Sequence, residues 1–97
     1  MLTSKQRAAL RGAASAAEPI FQMGKEGLGE NFLAGCDSAL TARELIKITV
    51  LKTAPLTPRE AGEQIAARLN AEFVAAIGGK CILYRFSKNK TDHMSLG

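Results

Sequence analysis

Apolar and polar positions alternate most regularly in RELIKITVL, residues 43–51, where Lys47 and Thr49 separate Ile46, Ile48 and Val50. Successive side chains of a strand point to opposite faces, so this spacing predicts a strand buried on one side. Three other segments repeat at the helical period. In the first, Thr3 and Gln6 stand at capping-box spacing, and helix is expected to about Ala17, with Leu10, Ala13 and Ala17 on one face. Arg7 and Arg11, four apart, share a different face, and Pro19 stops the helix. In the second, residues 29–42, Phe32, Leu33, Cys36, Ala39 and Leu40 form one stripe, and Glu30 suits the positive end of the helix dipole. Thr57-Pro58-Arg59-Glu60 opens the third, with a cap, proline at the first helical position and glutamate at the third. Ala61, Ile65, Leu69 and Phe73 are expected to face inward from it.

Shorter apolar runs complete the pattern. Residues 20–23 read as a strand entering a glycine-rich turn, and residues 73–77 and 81–86 flank Gly78-Gly79-Lys80 as a tight hairpin. The order is an N-terminal helix followed by β-α-β-α-β-β. This predicts a two-layer α/β domain whose first β-α-β unit crosses over right-handed. At 97 residues there is room for one domain, assigned to residues 1–87, with residues 88–97 as a flexible C-terminal tail. No internal repeat or linker interrupts it.

Composition narrows the function classes. A hydrophobic share of 46% supports a packed core, mostly aliphatic because aromatic residues make up only 5%. Tyr84 and Phe86 alternate on the side of Ile82 and read as core. Cys36 and Cys81 form no CxxC and no metal-ligand spacing with His93, so buried reduced thiols are expected and no metal or cofactor. No run approaches the roughly 18 apolar residues of a membrane span, and no signal-like apolar core opens the chain, so a cytoplasmic protein is expected. Catalysis finds little support: His93 lies in the expected tail, and Glu60 and Glu63 read as a solvated helix face. The phosphate-binding patterns of nucleotide folds are absent, and no small-molecule ligand is expected.

The charge is distributed unevenly. The net charge is +4, and the excess sits at the ends: Lys5, Arg7 and Arg11 in the first segment, Lys80, Arg85, Lys88 and Lys90 near the last, neither with an acid. A fold joining these ends would build a basic face; otherwise these long basic side chains are simply solvated tails. Between them lies MGKEGLGE, in which Gly24 and Gly27 bracket Lys25 and Glu26. Such a turn exposes backbone N–H groups beside a helix start, a geometry that suits phosphate. A plain strand-to-helix turn is the commoner use of such a glycine pair, and Glu26 and Glu30 oppose a simple cationic pocket. The sequence offers no run of exposed alternating aromatics on which bases could stack, which favours a glycine loop gripping backbone over a sheet platform.

IFQMGKEGLGENFL, RELIKI and IGGKCILYR, in this order and spacing, resemble the CRM domain family in its bacterial, stand-alone YhbY-type form. The resemblance covers nearly the whole chain. It implies a fold similar to the C-terminal domain of translation initiation factor three, with a four-stranded mixed sheet. It also implies RNA binding and, in bacteria, association with precursors of the large ribosomal subunit during ribosome assembly; plant relatives act in intron splicing. Carried over residue by residue, it marks Gly24, Lys25, Glu26 and Gly27 as the RNA-contacting loop. Charge placement adds Lys5, Arg7, Arg11, Lys47, Lys80, Arg85 and Lys88 as RNA-binding candidates. The expected partner is large-subunit ribosomal RNA in pre-ribosomal particles, bound by a monomer. The alternative is a protein-binding module recruited to those particles through protein contacts. Gly29 departs from the family, which usually has Ser or Thr there; Gly still serves as a helix cap.

Overall fold

A computed structural model of the chain describes residues 3–86. Its elements run α1 (Ser4–Ser15), β1 (Phe21–Met23), α2 (Glu30–Arg43), β2 (Leu45–Val50), α3 (Pro58–Leu69), β3 (Glu72–Ile77) and β4 (Lys80–Tyr84). The four strands form one mixed sheet in the order β1-β2-β4-β3. β1 runs parallel to β2 with Phe21 opposite Ile48, whereas β4 is antiparallel to both β2 and β3.

The alternation in β2 sorts the core. Ile46, Ile48 and Val50 turn to one face, where α2 and α3 supply Cys36, Leu40, Ala61 and Ile65. Leu45 turns to the other face, where α1 contributes Leu10 and Ala14 to a cluster with Val74, Ile82 and Tyr84. The expected class and element order hold, and the layering is one helix richer than the two layers expected. Fully burying a leucine or isoleucine contributes about 1.5–3 kcal/mol, so even this small second cluster anchors α1 firmly.

Local rules set most element ends. Thr3 with Gln6, and Thr57 with Glu60, form complete capping boxes, as the spacing predicts. Gly78 and Gly79, at φ 55° and 79°, make the two-residue turn that matches the twist of a hairpin.

Several positions differ from expectation. On α1 the buried pair is Leu10 and Ala14, while Ala13 and Ala17 are exposed. The docked stripe follows the i, i+4 row, one residue round from the face expected. Arg43 is the last residue of α2 and not the start of a strand; Glu44, at φ 66°, makes the turn alone and is completely buried. Phe73 packs inward from β3, because Asn70 in the left-handed region ends α3 three residues earlier. Its ring edge lies where a Cβ at Gly62 would stand, so the glycine admits it, and Arg59 sits 5.6 Å above the ring centre. Tyr84 is buried as expected, but Phe86 lies past the end of β4 and is 59% exposed. Lys88, Lys90 and His93 lie outside the described residues.

Cys36 and Cys81 are both free and buried in the larger cluster. Burial pushes the Cys36 thiol up to about 11. Burial, then the neighbouring Cys36, pushes Cys81 up to about 12. Neither is a thiolate near neutral pH.

Candidate functional site

The carboxyl ends of β1, β2 and β3 and the start of β4 lie at the same end of the sheet. In sheets built on β-α-β units, loops at these ends are the usual place for a site. Here three loops meet. The first is the glycine turn after β1, closed by Gly27 N–H donating to Gly24 O at 3.1 Å, with Lys25 and Glu26 exposed at its tip. The second is the segment of residues 51–57, and the third is the Gly78–Gly79 turn. Backbone bonds tie them together: Leu51 N–H donates to Met23 O at 3.0 Å and Val50 N–H to Gly79 O at 2.8 Å.

Gly27 is the pivot of the first loop. Its φ is 67°, and a Cβ there would stand 3.0 Å from Pro55 Cγ. Only a residue without a side chain takes this backbone and this approach together. Gly24 is different: its φ is not positive, and a Cβ would meet nothing within 4 Å. The first glycine thus keeps the surface open, and the second shapes the turn and seats it on the neighbouring loop.

Beside the turn is an open depression of about 600 Å³, lined by Gln22, Gly24, Lys25, Gly29, Asn31 and their neighbours. It includes the first turn of α2. Gly29 caps that helix without a side-chain hydrogen bond, so the backbone donors of the first turn stay available. Phe32 in this turn packs on Phe21 of β1, ring centres 6.0 Å apart, which holds the helix start beside the loop. Lys25 is balanced by Glu26 and Glu30 on the same rim. Anion attraction here must come chiefly from amides and the helix dipole.

The basic candidates separate into groups. Arg11, Lys47 and Lys80 line one groove on the α1 side of the sheet. Lys47 Nζ also donates to Ala14 O at 3.1 Å and Ala17 O at 3.2 Å, capping the negative end of α1. Arg7 is half-buried one turn before Arg11, and Lys5 is exposed on the first turn of α1. Arg85 stands apart, about 17 Å along β4 from Lys80 at strand rise. Its guanidinium is occupied by Asp37, Leu69 O and Thr41. The fold therefore unites Arg11 with Lys80 and leaves Arg85 in a structural clamp. Lys52, absent from the candidates that charge placement at the chain ends marks, sits in the second loop, between the glycine turn and the hairpin. Its position just after the predicted β2, in a β-α-β setting, is the signal that marks it.

No group of three or more metal-ligating side chains forms among the described residues, and no described helix is long and apolar enough to cross a membrane.

An α/β domain with a glycine turn between an edge strand and a helix start that lacks a side-chain cap defines a class, and similarity to known proteins gives its family. The chain matches the CRS1 / YhbY (CRM) domain over residues 2–85 and belongs to that family. It is 39% identical over 88 residues to "Probable RNA-binding protein YqeI" of Bacillus subtilis, spanning 91% of this chain and 92% of that protein. It is 34% identical over 87 residues to an RNA-binding protein of Haemophilus influenzae, spanning 90% and 88%. The solution structure of the Staphylococcus aureus protein SAV1595 superposes with a TM-score of 0.80 at 40% identity, covering 98% of this chain and all of that one.

Proposed function

We propose that this protein binds RNA in precursors of the large ribosomal subunit and assists their assembly, as a cytoplasmic monomer without catalytic activity of its own. The observation that carries this reading is the Gly24–Gly27 turn set against an α2 start with no side-chain cap. Phosphate oxygens meet the backbone donors of the turn and of the first helical turn. Gly24 lets the RNA backbone approach closely, and Lys25 adds charge. Lys5, Arg7, Arg11, Lys47 and Lys80 contribute attraction at longer range, and Lys52 joins them from the second loop. Relatives named as RNA-binding proteins support the ligand class.

Crosslinking in cells, followed by sequencing of the attached RNA, tests the reading. Large-subunit ribosomal RNA, with unprocessed ends, is the expected harvest. Recovery of the protein on pre-ribosomal particles without crosslinked RNA, and unchanged in high salt, would instead assign it to protein contacts.

A further inference from the structure

The groove between α1 and the β3–β4 turn has a composition of its own. Arg11 and Ser15 form one wall, Ile77, Gly78 and Lys80 the other, and buried Ile82 the floor. Its volume is about 290 Å³. No acid lines it, and among the described residues neither Arg11 nor Lys80 has a carboxylate partner. The C-terminal end of α1 points negative charge toward this region, but it is roughly half an elementary charge against the full charge of Lys47 bonded to it. The site is therefore cationic on balance. Ile77 nevertheless keeps 51% of its surface exposed beside these charges. Phosphate alone would not use an apolar wall, and an apolar ligand would not use two unpaired cations. A nucleotide uses both.

We propose that this groove holds one unpaired nucleotide, with its phosphate between Arg11 and Lys80 and its base against Ile77 and the face of the Arg11 guanidinium. The inference rests on the RNA-binding reading and adds a second contact on the other side of β2 from the glycine turn. A duplex keeps its bases stacked inside and cannot place one here, whereas a loop or single strand can. The distance suits one strand touching both places. β1, β2 and β4 are adjacent, so the two loops stand roughly 10 Å apart at the backbone.

The test is a titration of protein carrying labelled isoleucine methyls and amides with a non-self-complementary RNA of about ten nucleotides, within the range for single-strand sites, and with its duplex. With the single strand, the Ile77 methyl and Gly27 amide both shift, while the core methyls of Ile48 and Ile65 stay and report an intact fold. Lys80→Gln weakens binding about tenfold, lowers the salt slope by about 0.7, and suppresses the Ile77 shift while the Gly27 shift persists at saturation. Arg11→Gln, on an exposed helix position, acts in the same direction. A silent Ile77 with a responding Gly27 overturns the groove and leaves RNA binding standing. An equal Ile77 shift with duplex overturns the unpaired nucleotide. No shift at either position with any RNA overturns both readings.

Discussion

Arg85 Nη1 donates to Asp37 Oδ1 at 2.7 Å, joining residues 48 apart in the chain. The same guanidinium donates to Leu69 O at 2.8 Å, Asp37 O at 2.9 Å and Thr41 Oγ1 at 3.0 Å. One planar fork thus ties the end of β4 to α2 and to the end of α3, a task that suits arginine and not lysine. Arg85→Ala leaves main-chain acceptors without donors and is expected to cost about 2–3 kcal/mol in urea unfolding. Arg85→Lys recovers little of that. Asp37→Asn costs less than about 1 kcal/mol, because the Asp37 side chain is 56% exposed and water screens the pair. Equal losses for Asp37→Asn and Arg85→Ala would mean that the ion pair, and not the backbone clamp, is what stabilises.

The two glycines of the turn separate binding from stability. Gly24→Asp meets no steric obstacle and keeps an ordinary backbone, so it is expected to retain wild-type stability while placing a carboxylate where phosphate docks. Its RNA affinity should fall at least tenfold, a change of about 1.4 kcal/mol. Gly27→Asp loses about 1–2 kcal/mol of stability as well, from the left-handed backbone and the approach to Pro55. Fluorescence anisotropy with ribosomal RNA fragments, beside thermal melts, reads both. Wild-type affinity in Gly24→Asp would reduce the loop to a plain turn.

Lys47 is expected to matter for α1 before it matters for any ligand. Lys47→Met keeps the aliphatic stem and removes the donors to Ala14 O and Ala17 O. Loss of these charge-assisted bonds should cost about 1–2 kcal/mol and speed amide exchange selectively in α1. Unchanged exchange there would show that Leu10 and Ala14 hold the helix without help.

Alkaline pH should weaken the fold through its thiols. An unfolded cysteine releases its proton near 8.5, whereas Cys36 and Cys81 hold theirs to about 11 and about 12. Between those values the folded state binds more protons than the unfolded one, so stability falls as pH rises. It is unaffected below about pH 8 and then declines by at most about 1.4 kcal/mol per pH unit for each thiol. Urea midpoints measured across this range should show a shallower decline in Cys36→Ala. An identical slope in that variant would place the alkaline loss elsewhere.

Local pattern was enough for the elements. The capping boxes at Thr3 and Thr57, the alternation through Ile46, Ile48 and Val50, and the Gly78–Gly79 turn depend on residues within a few positions of one another. The mixed four-stranded sheet and the family follow instead from the resemblance, carried by motifs spread along the chain whose order is their signal. Position in space was a different matter. The Arg43–Leu45 boundary needed Glu44 to turn alone at positive φ, a backbone that residues with a side chain rarely adopt. Phe86 reads as core by alternation, yet β4 ends at Tyr84 and leaves it outside the sheet. Charge counting treats Lys80 and Arg85 alike, because a sum over residues carries no direction. Only the tertiary structure puts Lys80 beside Arg11 and turns Arg85 onto α2 and α3. Those pairings join segments far apart in the chain, and it is the docking of α1 on the second face of the sheet that brings the groove into being.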